Sequence, residues 1–189
     1  MALDWQIPIK TDWMQKQSSH TPSMEYAKDI YHVASRLTKP LALEIGMAWG
    51  FSTLAILEAG AKHLTSVDPN TRAKGHDEAV ANGYENHVWT CVRSEKFWKE
   101  NTAHFDLIYV DGSHLYNDVK NDLWQAWDKL NKGGLLMIDD WEHKNNIKAE
   151  NDTTEYGVSL ACWEFWKDHY DEVADVGIRG RVLWFAKRS

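Results

Sequence analysis

Residues 41–53 read Leu-Ala-Leu-Glu-Ile-Gly-Met-Ala-Trp-Gly-Phe-Ser-Thr, and this stretch restricts the folds open to the chain more than any other. A short apolar run containing Glu44 ends at Gly46, a second glycine follows at Gly50, and Ser52-Thr53 opens a helical pattern through Leu54, Ile56 and Leu57. The order is strand, tight turn, helix. Glycine tolerates positive φ and lets another group approach the backbone, while the free N–H groups of a helix start favour a carboxylate or phosphate. Small anionic ligands are therefore expected to dock at this turn. The dinucleotide fingerprint Gly-x-Gly-x-x-Gly is absent, because Ala48 stands at its second glycine and Phe51-Ser52 follow the last.

Downstream, strands and helices alternate. Leu64-Thr-Ser-Val-Asp68-Pro69 is a second buried strand that ends in an acid, and a carboxylate at that position relative to a glycine turn can accept from both hydroxyls of a ribose. A helix is expected over 71–81. Residues 87–92 form a third strand, followed by Arg93-Ser94-Glu95 and a helix containing Phe97 and Trp98. Residues 105–110 are apolar enough for a central strand and run into Asp111-Gly112-Ser113-His114. Residues 116–130 have helical spacing, with Val119, Leu123, Trp124, Trp127 and Leu130 as the inward stripe, and Lys132-Gly133-Gly134 is expected to end that helix. A fifth strand, 135–138, leads into Asp139-Asp140-Trp141. The polar stretch 142–154 reads as a loop, 160–170 as a helix, and 173–178 with 181–186 as a hairpin joined at Gly180. Ahead of the first strand, a helix is expected over 23–37, with Ser23 as its N-cap and Pro40 closing it.

This alternation predicts a three-layer α/β sandwich, and a chain of 189 residues suits one domain, with 1–40 as an N-terminal helical cap on a core of 41–189. With 21 basic and 28 acidic residues the formal charge is −7, which argues against a nucleic-acid partner. Cys91 and Cys162 are the only cysteines, so neither a disulfide framework nor a Cys-x-x-Cys metal site is available, and a reducing, cytoplasmic setting is expected. The first residues lack the basic start and apolar run of a signal peptide, and no window has the length of a membrane span.

Three carboxylates, Asp111, Asp139 and Asp140, fall at the carboxyl ends of two strands expected to be neighbours, where open α/β sheets bind their ligands. Like charges so placed repel unless protonated or neutralised, and a hard divalent cation such as Mg²⁺ is one neutraliser. The Asp139-Asp140 pair could equally be an exposed turn with one acid capping a helix.

The spacing Glu44-x-Gly46-x-Ala48-x-Gly50 resembles the first motif of the class I S-adenosylmethionine-dependent methyltransferases. Taken with Asp68, Asp111 and the segment 133–140, residues 41–141 resemble the metal-dependent O-methyltransferases, both the catechol type and a bacterial group acting on sugars of natural products. The chain departs from the catechol type in carrying Asp139-Asp140 for Asp-Asn, and His114 where a lysine base is usual. The resemblance implies a Rossmann-like fold with a seven-stranded, mostly parallel sheet and a closing antiparallel hairpin. It implies cofactor binding by Glu44, Gly46, Ala48, Gly50, Ser52, Asp68, Ser94 and Asp111, with Glu95 a weaker candidate. Mg²⁺ would be held by Asp111, Asp139 and Asp140, and His114, with Asp111, would take the proton of a small hydroxylated acceptor, a sugar or catechol-like diol. Trp49, Phe51 or Trp141 could lie over the sulfonium or simply pack. Residues 1–40 and 142–158 are expected to select the acceptor, and a homodimer is compatible with the sequence. Two other readings are a non-catalytic S-adenosylmethionine or nucleotide binder, disfavoured by the joint presence of Asp111, His114, Asp139 and Asp140, and an NAD-dependent oxidoreductase, disfavoured by Ala48.

Overall fold

The computed structural model describes residues 21–141 and 157–189. Expectations for residues 1–20 and for the 142–154 loop lie outside the described residues. In chain order the elements are α1 (Thr21–Ala34), β1 (Leu41–Ile45), α2 (Phe51–Glu58), β2 (His63–Val67), α3 (Gly75–Ala81), β3 (His87–Thr90), α4 (Ser94–Glu100), β4 (Phe105–Val110), α5 (Tyr116–Lys129), β5 (Leu130–Ile138), α6 (Val158–His169), a 3-10 turn (Tyr170–Glu172), β6 (Val173–Arg179) and β7 (Val182–Lys187). The seven strands form one sheet in the order β3-β2-β1-β4-β5-β7-β6, with β7 antiparallel to both its neighbours and the other adjacent pairs parallel.

Side chains of successive strand residues point to opposite faces, and the central strands are apolar on both. Leu43, Ile45, Ile108, Val110, Leu136 and Ile138 pack against Phe97, Trp98, Leu123, Trp127 and Phe165 of α4, α5 and α6. Ala42, Leu107, Tyr109, Leu135 and Met137 face Ile30, Leu54, Ile56 and Ala79 of α1, α2 and α3. The result is the expected three-layer sandwich, a Rossmann-like fold whose mostly parallel sheet ends in an antiparallel hairpin. Strand order reverses between β1 and β4, so their carboxyl ends diverge into different helices and leave a crevice above Ile45 and Val110.

Several boundaries differ from expectation. The Lys132-Gly133-Gly134 segment does not cap α5; it lies within β5, which begins at Leu130. Gly133 takes φ +78, and the β4–β5 register slips between Phe105 and Leu107, so the glycines form an irregularity in a strand. A Cβ at Gly134 would come within 2.8 Å of the Asp106 carbonyl oxygen, which explains the small residue there. Helix α3 starts at Gly75 instead of near Thr71, because the segment before it folds back on the β1–α2 turn, with Lys74 donating its N–H to the Ala48 carbonyl at 2.8 Å. Ser23 lies inside α1 instead of capping it.

Helix α1 packs along α2 and β7. It is tied to the hairpin by Arg179–Asp29 at 3.1 Å and, just past its end, by Arg36–Asp175 at 3.0 Å, with the Arg36 guanidinium 3.8 Å above the Trp184 ring. These contacts bring the start of α1 close to the carboxyl ends of β4 and β5.

Candidate active site

The β1–α2 turn is built by three residues in the left-handed region: Gly46 (φ +89), Ala48 (φ +39) and Gly50 (φ +86). Glycine is needed at Gly46 and Gly50 for close approach of protein, not ligand. A Cβ on Gly46 would overlap the Asp111 carbonyl oxygen, and one on Gly50 would lie 2.5 Å from the Cα of Gly75. The Asp68 carboxylate holds the turn from below. Its Oδ2 accepts the N–H groups of Met47 and Ala48, both at 2.9 Å, and its Oδ1 accepts that of Asn70 at 2.8 Å. Asp68 thus acts first as a clamp on the turn, a role the sequence reading does not assign it.

Glu44 is fully buried under the same turn. It accepts from Thr53 Oγ1 at 2.8 Å and from Ser66 Oγ, and burial pushes its carboxyl up to about 7 against opposing hydrogen bonds from Ser52, Ser66 and Thr53. Ser66 Oγ in turn meets His87 Nε2 at 2.9 Å. Burial, with the neighbouring His76 and His63, pushes His87 down to about 4.

Above the turn opens a cavity of about 370 Å³, lined by Gly46, Ala48, Asp68, Ser94 and Asp111 among the expected residues, together with Ile45, Val67, Pro69, Arg93, Glu95, Gly112, Ser113 and Asp118. Its size suits a small-molecule site. Glu44, Gly50 and Ser52, also expected to bind cofactor, do not line it; they shape the turn from beneath. The walls carry four carboxylates, Asp68, Glu95, Asp111 and Asp118, against the single guanidinium of Arg93. This balance corrects the expectation of a ligand that is anionic overall: a cationic ligand is favoured, and the pyrophosphate of a dinucleotide is not. Trp49, Phe51 and Trp141 lie off the cavity. Trp49 is exposed beneath Lys74, and the other two pack against the helix layers.

Asp111 lies on the cavity wall and also belongs to a polar cluster on its far side. Asp111 Oδ2 accepts from Tyr26 Oη at 2.6 Å, and Tyr26 shares a hydrogen bond with Tyr109 Oη. Burial, followed by the charge of Asp111, holds both phenols above their ordinary value, so they remain donors. The His114 ring stands between two acids, Nε2 at 3.5 Å from Asp111 Oδ1 and Nδ1 at 3.6 Å from Asp140 Oδ2. Arg181, from the β6–β7 turn, grips Asp139 with both arms, Nε to Oδ1 at 2.9 Å and a terminal nitrogen to Oδ2 at 2.5 Å, and the same nitrogen reaches Asp140 Oδ1. Burial and the charge of Asp111 push the Asp139 carboxyl upward, while Arg181, bonded to both of its oxygens, favours the charged form.

The residues do bring Asp111, Asp139, Asp140 and His114 together, but the arrangement does not fit the expected Mg²⁺. Both oxygens of Asp139 and one of Asp140 face a guanidinium, and among the described residues no group of three His, Cys, Asp or Glu side chains is disposed to hold a metal. Sequence reading does not single out Tyr26, Tyr109 or Arg181. The one available signal was chemical: a tyrosine in the apolar run Leu107–Val110 of β4 needs a partner for its hydroxyl.

Residues 43–141 match the family described as "Methyltransferase domain". The chain belongs to this methyltransferase family. No curated protein matches the sequence. Among solved structures, the N-methyltransferase NodS from Bradyrhizobium japonicum, in complex with S-adenosyl-l-homocysteine, is similar with a TM-score of 0.69 at 17% identity, over 97% of this chain and 95% of that one. The O-methyltransferase TomG from Streptomyces achromogenes, in complex with SAM, gives 0.69 at 15% identity over 87% and 80%. The methyltransferase PaMTH1 from Podospora anserina, bound to SAH, gives 0.65 at 20% over 86% and 77%. Such identities speak for the fold. Family match and fold agree: the chain is a member of a methyltransferase family and has the fold of these SAM- and SAH-bound proteins. No helix among the described residues of this methyltransferase is long and apolar enough to cross a membrane.

Proposed function

We propose that this methyltransferase methylates a hydroxyl of a small acceptor, a sugar or catechol-like diol, with His114 as the base. The observation that carries the reading is the double position of Asp111, which lines the cavity and also meets the His114 ring at 3.5 Å. Cofactor and base would thus share one wall.

Gly46, Ala48, Asp68, Ser94 and Asp111 would hold S-adenosylmethionine, and the acidic lining suits its positive charge. When bound, the cofactor supplies an electrophilic methyl group. Glu44, Gly50 and Ser52 support the cofactor through the shape of the turn. With about four acceptor sites and three N–H groups on them, Asp68 keeps one, on Oδ1, for a ribose hydroxyl.

His114 would take the acceptor's proton onto a ring nitrogen, and the resulting imidazolium would stand between Asp111 and Asp140. Its side chain is 31% exposed, so the proton can pass to solvent. Tyr26 and Tyr109 stay protonated and hold Asp111 in place. No step is assigned to a divalent cation, because Arg181 already engages Asp139 and Asp140.

The test is product analysis by mass spectrometry with S-adenosylmethionine and a panel of vicinal diols, catechols and sugars. A methyl ether should form, and His114→Ala should slow it roughly 10²–10⁴-fold, the share of a positioned base. Methylation of amines alone, or a His114→Ala variant as fast as wild type, would overturn the assignment. Cofactor binding without turnover on any acceptor would favour the non-catalytic reading.

A further inference from the structure

The acidic floor formed by Asp111, Asp139 and Asp140 needs a cation, and the structure supplies one from its own chain. Arg181 follows Gly180 at the tip of the β6–β7 hairpin. That tip is pinned: Gly180 takes φ +55 with Asp29 packed against it, and Arg179 pairs with Asp29 at 3.1 Å. The guanidinium is therefore delivered from a fixed turn. On the acceptor side it forms a two-pronged fork on Asp139 and also reaches Asp140. Asp140 accommodates this with a left-handed backbone (φ +56), a conformation that aspartate tolerates better than most residues and that follows directly on Asp139. The planar guanidinium matches two carboxylate oxygens at once, a geometry that a lysine cannot reproduce.

The same guanidinium lies 4.8 Å from the centroid of the Tyr26 ring. Tyr26 donates to Asp111, and Asp140 stands beside His114 Nδ1. Arg181 thus touches both chains of contact that fix the histidine, one through Tyr26 and Asp111, the other through Asp140. A divalent ion at these carboxylates would sit against a fixed positive charge and would have to displace the fork from Asp139.

We propose that Arg181 is the resident cation of this floor, a positioning residue that neutralises Asp139 and Asp140, orders the contacts around His114 and occupies the place of a divalent metal, so that methyl transfer needs none. The proposal rests on the methyl-transfer reading for its role in turnover, but the claim about the cation site can be tested without turnover.

The experiment titrates Mn²⁺ into the full-length protein, followed by electron paramagnetic resonance of the free ion. Wild type should bind no Mn²⁺ at the floor. Arg181→Met, which keeps length and removes charge, should acquire one Mn²⁺, and Arg181→Met/Asp139→Asn should lose it again. Arg181→Lys guards against misfolding of the methionine variant; it keeps the positive charge and should still exclude Mn²⁺, while its pH–rate profile changes because the fork that orders Asp140 beside His114 is gone. Turnover by wild type should persist in excess chelator, and Arg181→Met should lose about 10²-fold or more, the scale of a lost electrostatic contact in an active site. Binding of one Mn²⁺ by wild type that Asp139→Asn abolishes, or failure of a folded Arg181→Met to bind any, would overturn the proposal. Absence of turnover on every acceptor would count against the function proposed above and leave the Mn²⁺ result standing.

Discussion

Glu44 shows how one buried group ties the β1–α2 turn to pH. Its carboxyl is raised to about 7 by burial, so the folded state holds a proton that the unfolded chain releases near the ordinary value of about 4.3. The stabilisation from that proton is complete below about pH 4.3 and is lost as pH rises through 7. Glu44→Gln keeps the neutral shape, and its melting temperature should fall less than that of wild type between about pH 5 and about pH 8. His87, lowered to about 4, works in the opposite sense: its contribution is present above about pH 6.5 and is lost as pH falls through 4, so the acid limb should survive in Glu44→Gln. A melting profile of Glu44→Gln parallel to wild type would show that Glu44 does not titrate there. At the other end of the site, Tyr26 bridges Tyr109 and Asp111. Tyr26→Phe should cost about 1–3 kcal/mol of stability, because it leaves buried groups short of a partner, and the cost should shrink when Asp111 is already asparagine. Additive losses in a denaturant double-mutant cycle would mean the contact carries no coupling.

At the scale of elements, the β1–α2 turn is where sequence and structure agree best, though for a reason the sequence conceals. Strand, turn and helix follow from an apolar run, two glycines and a hydroxyl pair, all within thirteen consecutive residues. That Gly46 is small because the Asp111 carbonyl lies against it depends on β4, more than sixty residues away, and no local pattern reports it. Gly60 gives the control, since it too has positive φ (+95) but a Cβ there would meet nothing within 4 Å. Gly60→Ala should cost only the left-handed penalty of about 1–2 kcal/mol. Gly46→Ala should cost more and also lose cofactor affinity, as read by thermal melts and calorimetry; equal effects of the two would contradict the packing explanation. The same distinction explains β5. Lys132-Gly133-Gly134 has the composition of a helix end, and only pairing with β4 makes it an irregular strand, a case of tertiary context overriding a local signal. Arg181 is hidden more deeply still, because a sequence shows that Asp139 and Asp140 need a cation but not whether that cation is metal or protein.

Across the whole molecule, the alternation of strands and helices was enough to read the sandwich, and the strand-end acids were enough to place Asp68 and Asp111 beside one crevice. What was not legible is how the hairpin and α1 close that arrangement. Tyr26 and Arg181 come from opposite ends of the chain and meet at 4.8 Å because α1 packs along α2 and β7, with Asp29–Arg179 and Arg36–Asp175 adding ties to β6. On the proposed function, the cavity at the β1–β4 switch would hold the cofactor and the histidine–carboxylate cluster beside it would perform the chemistry. Calorimetric titration of S-adenosyl-l-homocysteine into wild type, Asp68→Ala and His114→Ala tests that division most directly. Binding to wild type should be micromolar, weaker by about 1.5–3 kcal/mol in Asp68→Ala, where the turn loses a charged hydrogen-bond acceptor, and unchanged in His114→Ala. Undetectable binding to wild type, or wild-type affinity in Asp68→Ala, would contradict this division.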